Sequence, residues 1–180
     1  RRVGYETRNS EDNEPKGHKT GWGLDLTSAI NFKPVTLKLG AVYGRGLATY
    51  MNDGGMDLAP AIDVVRDGET GFVIIPRAEA VKLFGLSAFA DVQWSKNWSS
   101  TIGYSFDKVD NTNFQEAGAF HKGEYALVNL LWTPAPPVMT GFELQWGKRT
   151  DNDGSKGHDL RVQYSFKYSF SSDNIWEMIE

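Results

Sequence analysis

The sequence predicts a transmembrane antiparallel up-and-down β-barrel. Three features carry that expectation: apolar and polar residues alternate in successive segments, trim connections alternate with long ones, and aromatic side chains sort to the two ends of each apolar face. The clearest segment is LRVQYSFKYSF. There Leu160, Val162, Tyr164, Phe166, Tyr168 and Phe170 fall on one side, and Arg161, Gln163, Ser165, Lys167 and Ser169 on the other. A period of two is the side-chain repeat of a strand and yields one apolar and one polar face. A soluble sheet turns the apolar face into a core, whereas a membrane barrel turns it toward lipid.

Composition narrows the classes. A chain of 180 residues suits one domain. Its net charge of −4, with no run of like charges, argues against nucleic acid as a partner. No apolar stretch approaches the roughly 18 residues of a membrane-crossing helix, which leaves a barrel open because hydropathy averages do not detect one. The absence of cysteine removes disulfides, thiolate metal sites and cysteine nucleophiles. The opening Arg1-Arg2-Val3 is expected to begin a mature chain or a fragment.

The elements follow in order. A weak opening, RVGYE, precedes GWGLDLTSAINF, which sets Trp22, Leu24, Leu26, Ile30 and Phe32 against Gly23, Asp25, Thr27 and Asn31. VTLKLGAVYG, LFGLSAFADVQW, WSSTIGYSF, YALVNLLW and MTGFELQWGKR repeat the pattern, so that LRVQYSFKYSF is the eighth strand. Short turns are expected at Lys33-Pro34, Ser95 to Asn97 and Thr133 to Pro137. Long polar loops are expected at Asn9 to His18, Gly46 to Arg77, Lys108 to Lys122 and Arg149 to His158. Turns on one rim and loops on the other are the plan of outer-membrane barrels.

Laid out by height, Phe32, Trp94, Trp98, Trp132, Tyr168 and Phe170 fall beside the turns, and Trp22, Tyr43, Phe84, Phe106 and Trp146 near the loops. These are two girdles at headgroup level, separated by Leu, Val, Ala and Ile. The other face carries Asp25, Lys38, Asp91, Asp107, Glu143, Arg149, Arg161 and Lys167, the candidate pore-lining charges. Glu143 is expected to neutralise Arg161 or Lys167 on the neighbouring strand.

Other chemistry is weakly signalled. His18, His121 and His158 lack metal-ligand spacing and read as loop residues. Thr150 to Ser155 (TDNDGS) reads as a turn rather than a calcium loop, and the GRG at Gly44 to Gly46 precedes no helix that would make it a phosphate loop. Asp91, Asp107 and Glu143 are the inward carboxylates an enzyme would need, and no inward His or Ser set accompanies them. No enzyme, metal or cofactor is expected.

The stretch YALVNLLWTPAPPVMTGFELQWGKRTDNDG, the closing LRVQYSFKYSF and the YGRGLATYM that enters a long loop resemble the C-terminal part of bacterial outer-membrane porins of the DcaP-like kind. The resemblance covers most of Gly21 to Phe170. It implies an outer-membrane location in a Gram-negative bacterium, contact with membrane lipid, a homotrimer of barrels of about 16 strands, and passive diffusion of small anionic solutes. It also implies that Tyr164, Phe166, Tyr168 and Phe170 form a terminal aromatic assembly signal. The expected domain is residues 1–170, with residues 171–180 (SSDNIWEMIE) as an extension beyond that signal. About eight strands make half of such a barrel or a small closed one, and the inward glycines Gly23, Gly40, Gly85, Gly103 and Gly141 suit the wall of a wide pore. A soluble or small membrane barrel holding an apolar ligand is the alternative.

Overall fold

A computed structural model describes residues 1–6, 16–51, 54–68 and 71–170. Among them lie eleven strands: β1 (Arg2–Glu6), β2 (Lys16–Thr20), β3 (Trp22–Phe32), β4 (Val35–Arg45), β5 (Leu58–Asp67), β6 (Gly71–Ala80), β7 (Lys82–Gln93), β8 (Trp98–Asp110), β9 (Phe120–Ala135), β10 (Val138–Asp151) and β11 (Lys156–Tyr168). Seven form one antiparallel sheet in the order β11-β10-β9-β8-β7-β4-β3. This is the expected meander, and its outer strands β3 and β11 do not pair with each other, so the barrel wall is open.

Three expectations change. Arg149 to His158, read as a long loop, is a tight turn of residues 152–155 between β10 and β11, with Arg149 and Thr150 paired to Gly157 and Lys156. The opening RVGYE is β1, but it pairs with β2 in a separate hairpin rather than joining the sheet, so the loop read at Asn9 to His18 is partly strand. Gly46 to Arg77, read as one long loop, holds a 3-10 turn at Ala48–Tyr50, β5 and most of β6, which runs on to Ala80. The chain leaves β4 at Gly46, whose φ of +64° is one that side chains rarely adopt. Its N–H donates to the Val81 carbonyl at 2.9 Å, and Val81 N–H donates to the Asp57 carbonyl at 3.0 Å, tying the neck of the excursion back to the start of β7. The signal missed was the length of IDVVRDGETGFVII, two β-rich runs around a Gly-containing turn. Residues 171–180 lie outside the described residues.

Register decides which side chains share a face, because directly opposed residues project the same way. One row across the sheet reads Ile30, Leu37, Ala90, Ile102, Val128, Leu144 and Val162. This apolar face is uncovered: Leu24, Leu26 and Val162 are 70%, 74% and 73% exposed. Side chains of this kind left open to solvent across a whole sheet contradict a soluble core and fit a surface made for lipid.

Buried apolar packing lies on the opposite face, at the loop end. Leu47, Ala48, Ala59, Val81, Leu83, Val109 and Phe120 form it, joined by Val42 and Met51. Leu83, at 1% exposure, is the most enclosed large side chain. The segment after β4 therefore folds over the polar face of the wall. Gly44 and Gly23 make this approach possible: a Cβ on Gly44 would fall 2.2 Å from the Trp22 carbonyl oxygen and 2.3 Å from Leu47 Cδ2. Gly44→Val is expected to cost about 1–3 kcal/mol by overpacking against backbone that cannot retreat, read as a lower urea midpoint for unfolding from vesicles. An unchanged midpoint would mean that Leu47 is not seated there.

Candidate pore face and mouth

All eight charged residues picked from the sequence project from the polar face. Near the turns, a row runs through Asn31, Thr36, Asp91 and Thr101 and continues through Asn129, Glu143 and Gln163. Its members are bonded to one another. Thr36 donates to Asn31 at 2.8 Å, and Lys38 pairs with Asp91 at 2.5 Å. Thr101 donates its hydroxyl to Asp91 at 2.8 Å and its N–H to Asn129 Oδ1 at 2.7 Å, while Asn129 and Gln145 donate to Glu143. Two carboxylates are thus held by defined partners, which suits a rigid wet wall.

The expected neutralisation of Arg161 or Lys167 by Glu143 does not occur. Glu143 lies opposite Gln163 and is occupied by two amides, Arg161 lies opposite Gln145, and Lys167 opposite Met139. Neither cation pairs with a carboxylate among the described residues. Sequence reasoning could not see this because alternation sets the face of a residue but not its neighbour across the hairpin.

Toward the loops, a second row passes Asp25, Val42, Gly85, Asp107, Gly123, Arg149 and Gly157. Arg149 pairs with Asp151 at 2.6 Å, donates to the Gly118 carbonyl at 3.1 Å and lies over the Phe120 ring. It is a fixed strut more than a free charge. Asp159, inward opposite Gly147, is a carboxylate the sequence reading passed over. Below the folded-over segment, Asp25, Thr27, Ser87 and Asp107 line one side of a cavity of about 570 Å³, and Leu47, Tyr50 and Met51 the other. Asp57, 7% exposed, anchors that segment by accepting from Thr49 N–H and hydroxyl at 2.9 Å each and pairing with Arg1 at 3.0 Å. Asp57→Ala is expected to speed amide exchange at residues 48–51 while the sheet amides stay protected, because only the anchor is lost. Faster exchange throughout β7 and β8 would mean that Asp57 supports the wall itself.

The inward glycines do not all leave open space. Phe89, an inward aromatic the sequence reading omitted, covers Gly103, whose Cβ would fall 1.9 Å from the ring, and Leu47 covers Gly23. The histidines remain apart: His18 contacts Arg2, His121 contacts Asn111, and His158 sits opposite Lys148. No metal-holding group occurs among the described residues. TDNDGS is a turn, closed by Asp151 N–H to the Ser155 carbonyl at 2.9 Å, with Gly154 at φ +84°. In it the Ser155 N–H holds the Asp153 carboxyl below the usual range.

The girdle residues Trp22, Phe32, Trp94, Trp98, Trp132, Trp146, Tyr168 and Phe170 belong to the apolar face. Trp98 stacks on Trp132 at 6.0 Å and Trp22 meets Tyr43 edge-on at 5.8 Å. Both bands slant across the hydrogen-bond rows. On the loop side, each aromatic from Tyr43 and Phe84 through Phe106 to Trp146 stands progressively nearer the turns in register, and the turn-side band falls in step from Phe32 to Tyr168. Parallel slanting bands are what tilted strands in a barrel require if each band is to stay at one membrane depth.

A lipid-facing apolar surface with two aromatic bands, a polar opposite face and an unclosed antiparallel meander define part of an outer-membrane β-barrel. The fold is similar to the crystal structure of the outer membrane channel DcaP of Acinetobacter baumannii, with a TM-score of 0.69 and 25% identity, over 87% of this chain and 44% of that one. The chain therefore spans less than half the length of that channel. It is also similar to the outer membrane usher protein PefC of Salmonella typhimurium, 26% identical over 114 residues, which is 61% of this chain and 14% of the usher. No family model matches. Both relatives are bacterial outer-membrane proteins, and this chain has the architecture of part of an outer-membrane β-barrel wall, like that of the channel.

Proposed function

We propose that the chain forms the C-terminal half of a porin barrel that passes small anionic solutes by passive diffusion, assembled as a trimer in a Gram-negative outer membrane. The observation that supports this best is the sheet itself: its polar face is continuous across seven strands, while β3 and β11 at its edges pair with no further strand among the described residues. Such edges in a membrane must be hydrogen-bonded, and further strands of the same protein would close them. Seven strands closed on themselves would leave an interior filled by side chains, whereas roughly twice that number encloses water.

Under this reading Asp25, Lys38, Asp91, Asp107, Glu143, Arg149, Arg161 and Lys167 line the path. Lys38 and Arg149 are engaged by Asp91 and Asp151, so Arg161 and Lys167 carry the anion preference. The segment Leu47 to Met51 narrows the mouth. Full-length protein in planar bilayers is expected to give conductance that rises in proportion to salt concentration. A folded, inserted protein that passes no current would overturn the channel reading.

A further inference from the structure

We infer that the loop-side rim of the lipid-facing surface is a binding belt for the phosphates of the acylated glycolipid of the outer leaflet. The evidence is a repeat on the apolar face. On each of four strands, a basic residue stands two positions beyond the loop-side girdle aromatic, on the same side: Tyr43 and Arg45, Phe84 and Lys82, Phe106 and Lys108, Trp146 and Lys148. Two residues along a strand is about 7 Å, or less along the membrane normal when strands tilt, so the cations follow the girdle just outside the hydrocarbon. Aliphatic lysine and arginine stems can lie along the apolar rim while their charges reach the headgroups.

Charge on this rim opposes that of the whole molecule. The chain carries −4. On the rim, Arg45, Lys82, Lys108, Lys122, Lys148 and Lys156 meet only two outward carboxylates among the described residues, Asp110 and Glu124. The turn-side rim lacks the repeat: the outward residues ending its strands include Phe32, Val35, Trp98 and Tyr168, and Lys33 and Lys96 are confined to the turns. The asymmetry matches a membrane whose two leaflets differ, with the long loops on the external side.

A second observation points independently to an anion. Lys108 and Lys122 are directly opposed on β8 and β9, and the same row continues through Thr150 to Lys156. Like charges placed directly opposite destabilise a strand pair unless something lies between them. Glu124 relieves part of this by holding Lys122 at 3.0 Å and Lys148 at 3.1 Å, and Lys122 rests over the Phe106 ring. Lys108 and Lys156 make no ion pair among the described residues. A phosphate above this row would meet three ammonium groups and one hydroxyl. Beneath it, an apolar groove of about 570 Å³ between Leu39, Ala88, Ile102, Tyr104, Val128 and Trp146 is placed to take an acyl chain.

The inference rests on the outer-membrane barrel reading, and the test separates the two. Full-length protein, folded in micelles and checked for heat-modifiable migration, is titrated with bisphosphorylated lipid A and examined by native mass spectrometry. Lys108→Gln is expected to weaken lipid retention about fivefold and Lys108→Gln with Lys156→Gln roughly 25-fold, following about 1 kcal/mol per surface cation. Lys96→Gln, on the turn side, leaves retention unchanged. The same lipid stripped of its phosphates binds wild type and double variant alike, and inorganic phosphate at equal concentration displaces nothing. In phosphate-free zwitterionic vesicles Lys108→Gln unfolds no earlier than wild type, since it removes a repulsion. Equal retention by wild type and double variant, tight binding of the phosphate-free lipid, or displacement by inorganic phosphate would each overturn the belt. Failure of every protein to fold into micelles or vesicles would instead count against the barrel.

Discussion

Leu144→Arg is expected to lower the stability of the inserted barrel by about 2–4 kcal/mol, whereas Gln163→Arg, on the neighbouring strand, is expected to be tolerated. Leu144 lies between Val128 and Val162 on the apolar face, inside the two aromatic bands and two residues on the turn side of Trp146. An arginine there has no carboxylate to pair with: the residues directly opposite are Val128 and Val162, and those two positions along the strand are Phe142 and Trp146. Gln163 is opposite Glu143 on the polar face, so a cation at that position gains a carboxylate. The measurement is the folded fraction in vesicles as urea is raised. Equal losses in the two variants would mean that the faces are not differently solvated, and the assignment of one face to lipid would fail with them.

Changing Arg161 and Lys167 together to glutamate in the full-length protein is expected to move the reversal potential under a salt gradient toward cation selectivity. These two are the polar-face cations without a carboxylate partner among the described residues, while Lys38 and Arg149 are already paired. The shift should be larger in dilute salt, because screening extends over about 30 Å at 0.01 M and only about 3 Å at 1 M. Changing Lys38 alone should release Asp91 and alter the potential less, since one charge is exchanged within a bonded pair. A potential that stays put in a conducting channel would show that β11 does not face the path.

Much of this was legible because a strand repeats every two residues. Leu160 to Phe170 declares its two faces without reference to any neighbour, and so do Trp22 to Phe32 and Phe84 to Trp94. The girdles were readable for the same reason, since ring positions along each strand are counted from the turns. The hairpin begun inside Gly46 to Arg77 was not legible, because apolar residues fall on both faces of its outer half, Val64, Phe72 and Ile74 on one and Val65 and Val73 on the other, which blurs the alternation. Phe89 was passed over because an aromatic on the polar face breaks the pattern; its partner, the bare backbone of Gly103, is fourteen residues away in sequence and adjacent only through register.

By itself the sequence determined the class of the wall: strands, their faces, the trim and long rims, and a surface that only lipid would cover. Tertiary structure alone decided who meets whom. It set Lys108 opposite Lys122, bonded Glu143 to amides instead of to Arg161, engaged Arg149 with Asp151, and laid Leu47 across Gly23 and Gly44. The physical reason is that facing is a local property of a period-two chain, whereas pairing depends on the register between strands. A shift of one residue in register would exchange every cross-strand partner and misalign the two faces.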